Sequence, residues 1–169
     1  MSIKGNEEEF GKYLTTILTI SRKILRLLFD LELEKNKELN VMIENIKKEP
    51  EQHLFFFENM IDFKSLIKLL NIYSKKNKLI VLIDIENNNE IHEHQKIFQK
   101  FLLEIIELRN DLWHNKVRYK NPKKYYHAIL NIKKAYDMFK NNKLINKKEL
   151  LENCINYLDI SLEFFEKYN

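Results

Sequence analysis

Apolar residues recur at helical spacing along the N-terminal part of this chain. Seven positions step alternately by four and three residues: Phe10, Leu14, Ile17, Ser21, Ile24, Leu28 and Leu31. Residues three and four apart lie on one face of an α-helix, so the pattern predicts a single long helix with one buried face. A helix of this kind must cover its apolar face with other elements, which favours a fold built by helix packing.

The scarcity of glycine and proline extends this expectation to the rest of the chain. Each of them occurs only twice in 169 residues, whereas turns and strand corners use both types frequently. Further helices are predicted up to Pro50, from Asp62, from Ile91, from Pro122 and from near Asn146. We therefore expect an all-α protein, a bundle of about five amphipathic helices.

No repeat, flexible linker or low-complexity segment divides the sequence, which predicts a single domain over residues 1–169. The apolar run KLIVLIDI, residues 78–85, precedes the polar stretch ENNNE. Such a run fits a short buried strand as well as an irregular segment packed against helices, so both alternatives stay open for residues 78–90. The earlier stretch QHLFFFENM is too short to assign.

Apolar spacing also predicts the buried faces of the last three helices. The first face comprises Phe98, Phe101, Ile105, Leu108 and Leu112; the second comprises Tyr125, Ile129, Ile132, Tyr136 and Phe139; the third comprises Leu151, Ile155, Leu158, Leu162 and Phe165. The only cysteine, Cys154, lies within the last of these helices. We expect it to be a small buried apolar residue rather than a reactive thiol.

Positive charge is concentrated in one segment of the chain. From Arg109 to Lys148 there are 12 Lys/Arg and two acidic residues, a net +10, whereas the other residues sum to −6 and the whole chain to +4. This segregation predicts a positive face that binds a polyanion such as a nucleic acid. The alternative is that the lysine-rich helix faces are only solvated.

The sequence shows no targeting, membrane or metal-binding pattern. The opening residues, MSIKGNEEEF, lack the apolar run of a secretory signal, and no uncharged apolar stretch approaches the roughly 20 residues that span a bilayer. We therefore expect a cytoplasmic protein without a membrane partner. His92 and His94 are two residues apart, so on a helix they point in opposite directions and cannot chelate one ion. We expect neither a metal nor another cofactor.

The stretch RNDLWH, residues 109–114, combines side chains that suit phosphodiester cleavage. A histidine titrates near neutral pH and can move a proton on or off a ribose 2′-hydroxyl or a leaving oxygen, the role expected of His114. The planar guanidinium of Arg109 matches phosphate and the charge that builds on a phosphorane. The amide of Asn110 can orient the phosphate or the imidazole. These three residues are the candidate catalytic residues.

Helical geometry limits how these residues can meet. Asn110 and His114 are four residues apart and share a face, whereas Arg109 lies about 140° around the helix from His114. Arg109 and His114 can act on one ligand if the helix ends or bends there, or if a second copy of the chain supplies the other half. In a purely structural alternative, Arg109 pairs with a carboxylate, and His114 with Asn115 forms an ordinary helix terminus.

The same residues resemble the signature of the HEPN superfamily (higher eukaryotes and prokaryotes nucleotide-binding). Its ribonuclease members carry an arginine, a polar residue and then a histidine after four to six intervening positions, and RNDLWH fits the four-residue form. The helical-bundle architecture is similar over most of the chain. The resemblance implies metal-independent RNA cleavage by attack of the 2′-hydroxyl, which leaves a 2′,3′-cyclic phosphate. It also implies a composite site at a homodimer interface.

The resemblance further implies a toxin or phage-defence ribonuclease, with an antitoxin or another defence-system protein as its partner. The resemblance implies a role for each residue of the motif. Arg109 stabilises the charge of the transition state, Asn110 positions the reacting groups, and His114 acts as an acid or a base. Relatives that are silenced by a partner nucleotidyltransferase often have a tyrosine two residues beyond the histidine. This chain has Lys116 there, and Tyr119 is the nearest tyrosine.

Residues that follow the motif are candidates for holding the RNA. They are Lys116, Arg118, Tyr119, Lys120, Lys123 and Lys124. We expect Trp113 to pack in the core or at an interface, with stacking on a base as the alternative. The competing function is a non-catalytic helical module that uses its positive segment to bind nucleic acid or an acidic protein partner.

Overall fold

The computed structural model describes residues 3–48, 56–57, 60–61, 63–76, 78–82, 91–114, 117, 121–142, 145 and 148–167. Most of these residues belong to six α-helices: α1 (Ile3–Lys35), α2 (Lys37–Lys47), α3 (Phe63–Lys75), α4 (Ile91–Trp113), α5 (Pro122–Lys140) and α6 (Lys148–Glu166). The all-α class is therefore confirmed, with one helix more than the approximate count expected. None of the described helices is long and apolar enough to cross a membrane.

Short elements occur in the described parts of the two segments that the sequence left unassigned. Around QHLFFFENM, β1 (Phe56–Phe57) pairs antiparallel with β2 (Met60–Ile61), so that Phe56 lies opposite Ile61. A short 3₁₀-helix, Ile80–Leu82, occupies part of KLIVLIDI. The strand alternative is therefore wrong for residues 78–82, and residues 83–90 lie outside the described part of the chain.

Helix boundaries follow the signals expected from the sequence. α2 ends ahead of Pro50, and α4 begins at Ile91. Pro122 occupies the first position of α5, where its missing N–H costs no hydrogen bond and its fixed φ suits the helix. α6 begins at Lys148, slightly later than the start expected near Asn146.

The chain divides into two compact units. Unit 1 comprises Met1–Ser21 and Lys96–Asn169, and unit 2 comprises Arg22–Gln95. The boundaries fall within α1 and α4, which each contribute residues to both units. The single domain over residues 1–169 stays a prediction.

Aromatic side chains fill much of the core of unit 1. Phe98 and Phe101 of α4 pack edge to face on Phe139 of α5, with ring centroids 6.0 and 5.6 Å apart. Phe10 of α1 packs on Phe165 of α6 at 5.0 Å. Such pairs add about 0.5–1.5 kcal/mol each beyond the burial of their area. The pairs formed by Phe98 and Phe101 hold the part of α4 that leads to the candidate catalytic residues.

The predicted faces of α4 and α5 are confirmed, except that Leu112 is half-buried. In α6 the predicted Ile155 and Leu162 are only half-buried, because the face is rotated toward other positions. Its buried residues are Leu151, Cys154, Leu158, Ser161, Phe164 and Phe165. Ser161 is polar and was therefore not part of the apolar pattern. It can be buried because its hydroxyl donates a hydrogen bond to the carbonyl of Tyr157 at 2.9 Å. The burial expected of Cys154 is confirmed.

A buried pair of hydroxyls joins α1 to α5 within unit 1. The oxygens of Ser21 and Tyr136 lie 2.9 Å apart, and both residues are fully buried. Burial raises the pKa of the Tyr136 phenol, while its hydrogen bond with Ser21 acts in the opposite direction. The pair explains why a polar residue occupies the apolar face of α1, because each hydroxyl satisfies the other.

A buried carboxylate organises unit 2. Glu32 of α1 is fully buried, whereas Leu31, which the periodicity predicted on the buried face, is half-buried. Glu32 Oε1 accepts from the N–H of Ile80 at 2.6 Å, and Oε2 accepts from the N–H of Val81 at 3.0 Å. N–H groups at a helix start lack partners within the helix, so the carboxylate caps the 3₁₀-helix. Charge-assisted bonds of this kind offset the cost of burying the anion.

Asn36 extends this network to the start of α2. Its Nδ2 donates to Glu32 Oε1 at 2.8 Å and to the carbonyl of Lys78 at 2.9 Å. Its Oδ1 accepts from the N–H of Leu39 at 3.2 Å, which caps α2. One asparagine therefore separates α1 from α2 and also fixes the chain that leads into the 3₁₀-helix.

Replacing Glu32 with glutamine should lower the free energy of unfolding by about 1–3 kcal/mol. One of the two acceptor oxygens becomes an amide donor, so the N–H of Ile80 or Val81 loses its acceptor. Urea denaturation measures the loss. Glu34→Gln, at an exposed position of the same helix, is the matched control and should change stability by less than about 0.5 kcal/mol. Equal unfolding midpoints for the two variants would contradict the capping role.

Candidate functional site

Regular helical geometry extends through the stretch RNDLWH. α4 continues to Trp113, and the N–H of the next residue, His114, donates to the carbonyl of Asn110 at 3.0 Å. A bond to the fourth preceding residue is the repeating contact of an α-helix. Arg109 and His114 are therefore not brought together by a bend between them, and they keep the separation of about 140° that helical geometry imposes.

Arg109 lies against the indole of Trp113. Its Cζ is 5.8 Å from the ring centroid, within the range of a cation–π interaction. The arginine is half-buried and forms no salt bridge with a carboxylate in the described part of the chain. The structural alternative, in which Arg109 pairs with a carboxylate, therefore has no support among the described residues.

Asn110 and His114 are exposed on the same face of the helix. Neither side chain makes a hydrogen bond to another residue that the structure describes. An exposed amide and an exposed imidazole, one helical turn apart, keep their hydrogen-bonding capacity for a ligand.

Trp113 is the most exposed large apolar side chain among the described residues, with 75 % of its surface accessible. The prediction that it packs in the core of the chain is therefore wrong. The alternatives of an interface and of base stacking stay open. The reason for the error is positional: Trp113 directly follows Leu112, which turns toward the protein, and the next residue along a helix is rotated by about 100°.

Asp111 anchors this end of α4 to the start of α5. Its Oδ2 accepts from Lys124 Nζ and from the hydroxyl of Tyr125, each at 2.9 Å. The Asp111 side chain is only 15 % exposed, and Tyr125 is buried. Sequence analysis missed this anchor, although the acidic residue within a strongly basic segment was a signal that it has a local partner. The anchor restrains the turn that carries Arg109 and His114.

Two of the six residues predicted to hold RNA are described. Lys123 is exposed, whereas Lys124 is engaged by Asp111. The other four lie outside the described residues: Lys116, Arg118, Tyr119 and Lys120. RNA binding by this set stays a prediction.

Acidic residues of α6 offset part of the positive charge of α5. Lys133 pairs with Asp159 at 2.5 Å, and Lys140 pairs with Glu152 at 3.5 Å. Lys123 and Lys134 are exposed, and neither pairs with a carboxylate that the structure describes. The net +10 counted along the sequence therefore overstates the positive charge that α5 offers to a partner.

An exposed stripe runs along α4 toward its C-terminal end. It consists of Leu103, Ile106, Asn110 and Trp113, which step by three, four and three residues and so share one side of the helix. Leu103 is 53 % exposed and Ile106 is 36 % exposed. Sequence analysis missed the stripe, because it considered only the buried face. The signal was present, since apolar residues occur on both sides of this helix.

Glu104 lies on the side of α4 that faces α5. Its Oε1 accepts from Asn131 Nδ2 at 3.2 Å. Burial raises the pKa of the Glu104 carboxyl, while the hydrogen bond from Asn131 acts in the opposite direction. Glu104 and Asp111 therefore place two carboxylates between the helices, away from the exposed stripe.

Comparisons with protein-family models, with curated proteins and with solved structures find no match to this chain. No group of three metal-ligating side chains occurs among the described residues. The resemblance to HEPN ribonucleases therefore depends on the motif at the end of α4 and on the all-α class.

Replacing Glu104 with glutamine should stabilise the protein at pH 7 and lose this advantage in acid. A carboxyl whose pKa is raised on folding destabilises the fold above that pKa, and the cost disappears below its ordinary value of 4.5. Glutamine is neutral throughout and still accepts from Asn131. Urea denaturation at pH 7 and at pH 4 measures the difference between variant and wild type. A difference that does not shrink at pH 4 would contradict the effect of burial.

Proposed function

We propose that this protein is a metal-independent endoribonuclease that acts as a homodimer. The observation that carries the proposal is the state of Arg109, Asn110 and His114 at the end of α4. A guanidinium without a carboxylate partner among the described residues, an exposed amide and an exposed imidazole all occur within the last turns of one helix. These side chains therefore keep their hydrogen-bond donors and acceptors for a ligand.

The chemistry follows from what these side chains can do to an RNA phosphate. His114 accepts the proton of the ribose 2′-hydroxyl, and the 2′-oxygen forms a bond to phosphorus. The bond from phosphorus to the 5′-oxygen breaks, and the imidazolium returns the proton to that leaving oxygen. Arg109 donates hydrogen bonds to the phosphorane, whose negative charge exceeds that of the ground state. The products are a 2′,3′-cyclic phosphate and a free 5′-hydroxyl, and no metal ion is needed.

In this proposal, a second copy of the chain brings an Arg109 and a His114 together at one site. Within one copy, Arg109 and His114 are about 140° apart on an unbroken helix. Two copies related by a twofold axis would bring Arg109 of one to His114 of the other, twice per dimer. Leu103 and Ile106 are apolar, exposed and on the side of α4 that carries Asn110, so burying them offers a driving force for the association.

The resemblance to HEPN toxins and defence ribonucleases adds a biological context to the proposal. An enzyme that cuts cellular RNA needs restraint, which is the role of an antitoxin or of another defence-system protein. The alternative function, a helical module that binds nucleic acid or an acidic protein without cutting, uses the same exposed groups. The two functions differ in whether RNA is cleaved.

The wild-type protein should cut single-stranded RNA in the presence of EDTA, and His114→Ala should reduce the rate by about 10²- to 10⁴-fold. Arg109→Ala should cause a loss of similar size, because the guanidinium stabilises the charge of the transition state. Gel analysis of labelled RNA measures the rate, and end-group analysis should find cyclic phosphate.

Lys134→Ala is the matched control for these variants, because Lys134 is an exposed cation of α5 within the positive segment. It should cut RNA at nearly the wild-type rate, and circular dichroism should show that all variants are folded. RNA binding that weakens with salt, without cleavage by the wild type, would instead establish the non-catalytic module.

Mixing Arg109→Ala protein with His114→Ala protein should restore activity that neither has alone. In an equal mixture that exchanges subunits, half of the dimers are mixed, and each mixed dimer has one complete site from the intact Arg109 of one copy and the intact His114 of the other. The expected rate is therefore about a quarter of the wild-type rate. A mixture as inactive as its parents would contradict the composite site.

The same mixture tests Leu103 and Ile106, the aliphatic residues of the exposed stripe, as the interface. Adding Ile106→Lys to both parents should abolish the restored activity, because an ammonium would have to be buried against the partner. Val41→Lys is the matched control, since Val41 is 59 % exposed on α2 and belongs to unit 2. It should leave the restoration intact.

A further inference from the structure

We propose that Trp113 and the Arg109 guanidinium form a stacking platform for an unpaired base, which makes single-stranded RNA the substrate class of this site. The proposal rests on the proposed ribonuclease function, because the platform would position the RNA that the motif cuts. It assigns Trp113 a binding role, whereas Arg109 and His114 carry the chemistry.

The exposure of Trp113 is the first observation that carries the proposal. An indole is the largest apolar side chain, and 75 % of this residue is accessible to solvent. Every base offers an aromatic face, and stacking on tryptophan is a usual way for proteins to hold single-stranded nucleic acid. A side chain in this position is therefore available to a base without any rearrangement of α4.

The position of Arg109 is the second observation. Its guanidinium carbon lies over the indole, 5.8 Å from the ring centroid, so the cation is held against the ring. A guanidinium also stacks on bases, and its N–H groups at the same time bind phosphate oxygens. An arginine held beside a tryptophan therefore lets one nucleotide be bound by its base and by its phosphate together.

The neighbours of Trp113 favour a nucleotide over a protein partner. Trp113 lies beside Arg109, whose planar guanidinium matches a phosphate group, and it is followed by the exposed His114. The sequence continues with Asn115 and Lys116, within the positive segment that begins at Arg109. Apolar contact with a second copy is available instead from Ile106, which lies about 10 Å further back along the helix axis.

The geometry of stacking favours single-stranded RNA over double-stranded RNA as the substrate. Bases within a duplex are stacked on their neighbours, and proteins recognise such RNA mainly through its shape, its phosphates and its 2′-hydroxyls. An indole at the end of a helix can stack only on a base that is free to leave its neighbours. The site would therefore select loops, bulges and unpaired segments.

Fluorescence gives a direct test, because Trp113 is the only tryptophan of the chain. His114→Ala protein, which binds RNA without cutting it, is titrated with a short single-stranded oligoribonucleotide. An abasic ribose-phosphate oligomer of the same length and a duplex of the same sequence serve as comparison probes. We expect the single strand to quench the emission, and we expect little quenching by the abasic oligomer or by the duplex at equal charge concentration.

Substitution supplies a second measurement that does not use the tryptophan signal. Anisotropy of a labelled single strand should show that Trp113→Ala weakens binding by about 5- to 150-fold, the usual loss for one stacked base. Trp113→Phe should retain most of the affinity, because it keeps an aromatic face. Ile160→Ala is the matched control, since Ile160 is an exposed aliphatic residue of α6, and it should bind like its parent.

Equal quenching by the abasic oligomer, or unchanged affinity of Trp113→Ala, would overturn the platform. These measurements are independent of cleavage. If RNA quenches the emission but the wild-type protein does not cut RNA, the stacking platform is supported and the ribonuclease function is contradicted. If the wild-type protein cuts RNA but quenching does not depend on the bases, the ribonuclease function is supported and the platform is contradicted.

Discussion

The hydrogen bond from the N–H of His114 to the carbonyl of Asn110 determines how the candidate site can work. It carries the geometry of α4 through the whole motif, so successive side chains are rotated by about 100°. Asp111 consequently turns toward α5, Arg109 lies beside Trp113, and the imidazole of His114 faces solvent. Neighbouring side chains of the motif therefore have different roles: Asp111 anchors the helix, whereas the imidazole of His114 is exposed. Chemistry that needs Arg109 and His114 together requires a partner, which is why the proposed enzyme is a dimer.

The anchoring position gives the exposed positions a fixed frame. Asp111 is held by Lys124 and by the buried Tyr125, and earlier turns of α4 are fixed by the packing of Phe98 and Phe101. Side chains act on a reacting phosphate only when the backbone that carries them keeps its position, because errors of about 1 Å are costly to catalysis. The motif therefore combines a restrained backbone with side chains that remain available, and a helix packed on one side provides both.

Periodicity predicted the helices and most of their buried faces, because each face depends only on the local repeat of the helix. It failed at Glu32, a buried polar residue that caps N–H groups 48 and 49 residues away in sequence. It placed Ser21 and Tyr136 on buried faces but did not predict that these residues, 115 positions apart, are hydrogen-bonded to each other. No local pattern contains such pairings. The candidate site was found for a different reason, since its residue types suggested chemistry, whereas the anchor at Asp111 and the exposed stripe depend on which side of α4 is covered.

Trp113 shows how exposure changes the meaning of a residue type. In sequence, a tryptophan after an apolar repeat predicts packing, since its burial is worth more than that of most side chains. The structure leaves it in solvent beside a guanidinium. Water interacts poorly with the faces of an indole, so covering them with a ligand is favourable. A nucleotide is a ligand that matches both members of the pair, because its base stacks on the indole while its phosphate binds the cation. In the proposed ribonuclease, the exposed tryptophan therefore adds a class of substrate to the type of reaction that the motif indicates.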